Sequence, residues 1–139
     1  MQRILALDVG EKRIGLAVSD PLGITAQGLP TYVRCGDIQE DVRHIAALAD
    51  SYRPVKLVFG MPRNMDGSYG MQAAYTQAFA EQVLAAWDGE HDYFDERLTS
   101  KSAERVLIEA DLSRKKRKTV IDKLAAVIIL QGYLDAHRS

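Results

Sequence analysis

Residues 4–7 are continuously apolar and run into Asp8-Val9-Gly10, the pattern of a buried strand that ends in a turn. A second strand-like segment, Arg-Ile-Gly-Leu-Ala-Val-Ser at 13–19, follows closely, and the short polar link Gly10-Glu11-Lys12 predicts an antiparallel hairpin. A third strand is expected between Gly23 and Arg34, with Pro30 at an edge or bulge because proline cannot donate to a ladder.

Asp37-Ile38-Gln39-Glu40 has the spacing of a capping box, and Ile38, Val42, Ile45, Ala46, Ala49 and Tyr52 then recur on one helical face. Beyond Pro54, Val55-Lys56-Leu57-Val58-Phe59 closes at Gly60 with the nearly unbroken apolar character of a central parallel strand. A polar, glycine-bearing loop at 61–70 leads into a helix over 71–87, whose inner side is expected to carry Met71, Ala74, Tyr75, Ala78, Phe79 and Val83. Residues 91–95 read as a short strand, and Thr99 or Ser100 caps a helix bearing Ala103, Val106, Leu107 and Ala110. The basic run Arg114, Lys115, Lys116, Arg117 and Lys118 precedes a last helix at about 120–137. Three antiparallel strands followed by alternating helices and strands predict an α/β fold, a mixed five-stranded sheet with helices on both faces.

A chain of 139 residues suits one hydrophobic core, so 1–139 is expected to be a single domain. Lys and Arg number 18 against 19 Asp and Glu, so bulk charge says nothing about a nucleic-acid partner and the placement of charges must decide. The lone cysteine, Cys35, excludes an internal disulfide and is expected to be a packing residue in a reducing compartment. Met1-Gln2-Arg3 leads straight into a strand without a secretory-signal pattern, and the apolar run 124–130 is too short for a bilayer. A soluble cytoplasmic protein with no membrane partner is the expectation.

Three carboxylates fall where chemistry is done. Asp8 follows an apolar strand and should project at its carboxyl end, where open α/β sheets bind ligands, although Asp near Gly is also ordinary turn chemistry. Glu96, in Asp95-Glu96-Arg97-Leu98-Thr99, reaches the same edge if its strand runs parallel to the first; a solvated loop with a local ion pair is the plainer alternative. Helical spacing groups Asp122 with Ala125, Ala126 and Ile129, an inward position, while a capping role three residues after Thr119 competes with it. Converging carboxylates repel and raise one another's pKa unless a cation neutralises them. All-oxygen ligands select a hard ion, Mg²⁺ with Mn²⁺ as a substitute, and two such ions suit in-line phosphodiester hydrolysis.

Four ordered blocks resemble the YqgF-type proteins, described as Holliday junction resolvase-like or as nucleases of the 16S ribosomal RNA precursor. They are Leu7-Asp8-Val9-Gly10 with Lys12-Arg13-Ile14-Gly15; Gly60-Met61-Pro62 with Met65-Asp66-Gly67-Ser68; Asp95-Glu96-Arg97-Leu98-Thr99; and Asp122 with Ala125-Ala126 leading to Ile129-Leu130-Gln131-Gly132-Tyr133-Leu134. The resemblance implies a ribonuclease H-like fold and a divalent-metal-dependent endonuclease that processes the 5′ end of pre-16S rRNA in ribosome biogenesis. It places the family's acidic positions on Asp8, Glu96 and Asp122.

Candidate phosphate contacts are Lys12 and Arg13 in the hairpin, Arg63 and Asn64 after the central strand, Arg97 and Thr99 beside Glu96, and Arg114, Lys115, Lys116, Arg117 and Lys118. The last five also fit a solvated, mobile loop. Tyr69 is a candidate for stacking on bases, Tyr75 is placed in the core, and His44, His91 and His137 show no ligand spacing. The expected partner is RNA, structured or single-stranded, with branched DNA as an alternative, association with a ribosomal precursor, and a monomer or weak homodimer. A nucleotide-binding module of the actin or sugar-kinase type and a non-catalytic nucleic-acid-binding module are the rival readings. The first normally needs two related domains around its nucleotide.

Overall fold

A computed structural model of the chain describes residues 2–62, 70–95 and 114–137, with side chains described except at 114–123. Five strands, β1 (Arg3–Val9), β2 (Arg13–Ser19), β3 (Ala26–Val33), β4 (Val55–Met61) and β5 (Glu90–Asp95), form one sheet in the order β3-β2-β1-β4-β5. The first three pair antiparallel, whereas β1 with β4 and β4 with β5 pair parallel, which is the mixed sheet expected. Three helices are described: α1 (Ile38–Ser51), α2 (Met71–Ala86) and α3 (Arg114–Ala136).

The β1–β2 hairpin closes with Val9 opposite Ile14, and the Gly10 N–H donates to the Arg13 carbonyl at 2.8 Å. A Cβ on Gly10 would stand 2.7 Å from that same oxygen, so the turn after Asp8 excludes any side chain there. On the edge strand β3 the register slips from Ile14 opposite Tyr32 to Leu16 opposite Leu29. Pro30 therefore lies in a bulge, where no ladder donor is required.

Alternation along the strands gives the sheet two unlike faces. Leu5, Leu7, Val9, Ile14, Leu16, Leu57 and Phe59 pack against Val42 and Ile45 of α1 and Phe79 and Val83 of α2. Each such large side chain contributes about 1.5–3 kcal/mol when fully buried. On the other face Ala6, Ala17, Val58 and Phe94 lie under Ala126, Ile129, Leu130 and Tyr133 of α3. Small residues let this helix approach closely; a Cβ on Gly28 would sit 3.2 Å from Val127 Cγ2.

Several local expectations need correction. The Asp37 side chain caps α1 by accepting from the Gln39 N–H at 3.0 Å, but Glu40 pairs with Arg43 on the surface rather than reaching back. In α2 the buried residues are Ala73, Thr76, Phe79, Ala80 and Val83; Met71, Ala74 and Ala78 are exposed, and Tyr75 is half-buried. Alanine occurs on every side of this helix, so apolar spacing alone could not choose the inner face. Cys35 is exposed rather than packed. The basic run is not a loop before the last helix: α3 begins at Arg114 and includes it. The helix expected to carry Ala103 to Ala110 lies outside the described residues. Among the described residues no helix is long and apolar enough to cross a membrane.

Candidate active site

Asp8 is the penultimate residue of β1, half-buried, at the carboxyl end shared by the parallel strands β1 and β4. Strand alternation sets it on the same face as Ala6, the face that α3 covers. Its cross-strand neighbour is Gly15, which brings no side chain to that face. A pocket of about 200 Å³ opens here, lined by Asp8, Gly10, Lys12, Arg13 and Gly15. The structure thus gathers three of the residues predicted for the site, a carboxylate and two cations.

Among the described residues no hydrogen bond or ion pair engages the Asp8 carboxylate, and no group of three or more His, Cys, Asp or Glu stands ready to hold a metal. A half-buried carboxylate oxygen beside a small pocket is nonetheless the donor type that a hard divalent ion takes, with water and phosphate completing its shell. Glu96 lies outside the described residues. The strand before it, β5, runs parallel to β4 and ends at Asp95 opposite Met61, so the condition set for Glu96, a strand parallel to the first, is met.

Asp122 lies in α3, its side chain outside the description, one turn before the buried Ala126. The direction of α3 follows from its contacts. Val127 meets Gly28, which is level with Ala17 and Ala6 across the sheet. Lys56, level with Ile4, places its ammonium 5.4 Å from the centre of the Tyr133 ring, farther toward the amino ends of the parallel strands. Followed backwards from Val127, the helix axis therefore heads toward the end where Asp8 sits. Arg63, Asn64, Tyr69, Arg97 and Thr99 lie outside the described residues, and of Arg114, Lys115, Lys116, Arg117 and Lys118 only the helical backbone is described.

Sequence reasoning missed a buried polar group beside this site. Asp41, 1 % exposed, accepts from Arg34 Nε and the Tyr32 hydroxyl, both at 2.8 Å, and from the Cys35 N–H at 3.3 Å. Burial pushes the Asp41 carboxyl up, but the hydrogen bonds from Arg34 and Tyr32 outweigh it and hold the group below the usual carboxylate range. The Tyr32 phenol, donating to that anion and partly desolvated, is pushed up to about 12. One signal was available: Asp41 stands four residues before Ile45, on the inner face of α1. A second pocket, of about 470 Å³, adjoins the first through Lys12 and is bordered by Glu11, Arg34, Asp41 and Tyr75.

The sequence profile of the family described as "RuvX: Holliday junction resolvase" matches residues 2–136. The chain belongs to this family. Membership carries the enzyme class with it: a nuclease, hydrolysing phosphodiester bonds. Among its relatives are proteins named "Putative pre-16S rRNA nuclease" from Syntrophomonas wolfei, 53% identical over 96% of this chain and 94% of that one, and from Halalkalibacterium halodurans, 54% identical over 96% of each. Two solved structures are similar: T. thermophilus RuvC in complex with a Holliday junction substrate, with a TM-score of 0.56 at 16% identity over 98% of this chain and 95% of that one, and Fowlpox virus resolvase with Holliday junction DNA, 0.54 at 13% over 99% and 100%. At such identities the likeness establishes the fold, which is ribonuclease H-like.

Proposed function

We propose that this RuvX-family nuclease cuts the precursor of the small-subunit ribosomal RNA in the cytoplasm, with Mg²⁺ held by Asp8, Glu96 and Asp122. The observation that carries this reading is the placement of Asp8: it stands at the carboxyl end of the central strand β1, beside a cation-lined pocket, on the face of the helix that bears Asp122. The family is generally dependent on divalent metals, and Mn²⁺ is expected to substitute.

Bound divalent ions would polarise the phosphate and make a water nucleophilic at neutral pH. The protein's part is geometric. Asp8 offers an oxygen from a rigid strand rather than a loop, with Gly15 opposite it adding no bulk. Lys12 and Arg13, exposed around the same pocket, are suited to hold the phosphates that flank the cut. Arg114, Lys115, Lys116, Arg117 and Lys118 open α3 at the positive end of its dipole, where like charge is unfavourable unless an anion lies nearby. A nucleic-acid backbone supplies that anion.

Cleavage of a labelled 16S precursor with Mg²⁺ or Mn²⁺ tests the proposal. Metal activation is worth several kcal/mol and each 1.4 kcal/mol is tenfold in rate, so Asp8→Asn should lose about 10³-fold or more. A variant as fast as wild type removes Asp8 from the site. Branched DNA is the second reading, favoured by the family's own description, and a junction cut faster than the precursor would put it first.

A further inference from the structure

The turn that follows Asp8 is held from outside at three of its carbonyls. Gln72 Nε2, near the start of α2, donates to the Val9 carbonyl at 3.3 Å; Arg34 Nη1 donates to the Gly10 carbonyl at 3.0 Å; and the Arg34 backbone N–H donates to the Lys12 carbonyl at 2.9 Å. Hairpin tips with exposed residues such as Glu11 and Lys12 are ordinarily among the more mobile parts of a fold. This one is tied to β3, α1 and α2 together.

The tie is itself rigid. The Arg34 side chain is 9% exposed, its Nε bonds Asp41 at 2.8 Å, its Nη1 also meets the Tyr75 hydroxyl, and its guanidinium carbon lies 4.9 Å from the centre of the Phe79 ring. A planar guanidinium can serve Asp41 and Gly10 at once because its donors point in fixed, separate directions. We infer that Arg34, oriented by Asp41 and seconded by Gln72, is a positioning residue that sets the Gly10–Arg13 turn and through it the Asp8 carboxylate and the Lys12 and Arg13 cations. Its consequence for catalysis rests on the nuclease reading of Asp8; its consequence for the turn does not. Misplacing a reacting group by about 1 Å can cost about 10²-fold in rate.

The test uses the full chain as wild type, Arg34→Lys and Gln72→Ala. A lysine keeps the charge but has one donor head and cannot reach Asp41 and Gly10 together, and Gln72→Ala removes a single exposed side chain should Arg34→Lys fail to fold. Amide hydrogen exchange should be at least about 10-fold faster at Gly10 in both variants and unchanged at Ala126 and Leu130 of α3. In the cleavage assay the Mg²⁺ midpoint should rise several-fold and kcat fall, while KM for the RNA rises with the displacement of Lys12 and Arg13. Gly10 exchange as slow as in wild type overturns the inference, as does faster exchange with an unmoved Mg²⁺ midpoint in active enzyme. If wild type cleaves neither RNA nor junctions, the nuclease reading fails alone, and the exchange rates still decide whether Arg34 and Gln72 hold the turn.

Discussion

Asp41 and Asp92 are both carboxylates drawn largely out of water, each accepting a tyrosine hydroxyl, from Tyr32 at 2.8 Å and Tyr133 at 2.9 Å, and each accompanied by a cation, Arg34 or Lys56. In both, burial pushes the acid up and the surrounding donors more than reverse it, leaving the carboxyl below its usual range. Their positions differ. Asp92 lies on the face under α3, where Tyr133 fastens that helix to β5. Asp41 lies beside the carboxyl ends of the strands, and its arginine has a donor to spare for the turn after Asp8. Similar chemistry thus secures a helix in one place and shapes a site in the other.

The largest effect expected from breaking this pair of groups is at Asp41. Asp41→Ala leaves the Arg34 guanidinium, 9% exposed, without its carboxylate, and stranding a buried charge costs about 3–5 kcal/mol. That is a large share of the roughly 5–15 kcal/mol by which a domain is stable, so urea unfolding should show it plainly. At the other group, Tyr133→Phe removes one hydrogen bond to a charged acceptor, worth about 1.5–3 kcal/mol. The decisive contrast is in metal dependence. Tyr133→Phe should leave the Mg²⁺ midpoint of cleavage where it is in wild type, because nothing in that group touches the Asp8 turn. A midpoint shifted as far as in Arg34→Lys would erase the distinction between the two regions.

The parts of the fold legible in the sequence are those fixed by neighbours along the chain. The β1–β2 hairpin was readable because Gly10 and two polar residues separate two apolar runs, and Pro30 marked its bulge because a missing donor is a local fact. Asp8 could be placed at a strand tip by the same local reasoning. What escaped was set across the chain. Asp41 is buried only because Tyr32 and Arg34, on and just past β3, supply its donors; its place four residues before Ile45 marks the inner face of α1 but identifies neither partner. The inner face of α2 escaped because alanines fit on any side. The start of α3 escaped because five cations at the positive end of a helix argue locally for a loop.

The smallest effect separates the Tyr32–Asp41 bond from everything else that titrates. Asp41 has a lowered pKa, so its contribution is complete above the ordinary carboxylate range and is lost as pH falls through the lowered value. Tyr32 has a pKa raised from 10.0 to about 12, so the folded state favours the protonated phenol; that contribution is complete below pH 10 and is lost as pH rises toward 12. The bond is therefore whole in the window between. Tyr32→Phe should cost about 1.5 kcal/mol there, evenly across the window, the lower end for a hydrogen bond to a charged acceptor because Asp41 keeps its bond from Arg34. At pH 11 the penalty should shrink, since the unfolded phenol ionises while the folded one is held protonated beside an anion. Tyr93, Tyr133 and Lys56 also have raised values and weaken the fold at alkaline pH, but they do so in both proteins and drop out of the difference. Urea midpoints of wild type and Tyr32→Phe at pH 6, 8 and 11 make the measurement; a penalty as large at pH 11 as at pH 8 would mean that the hydroxyl of Tyr32 is not what Asp41 holds.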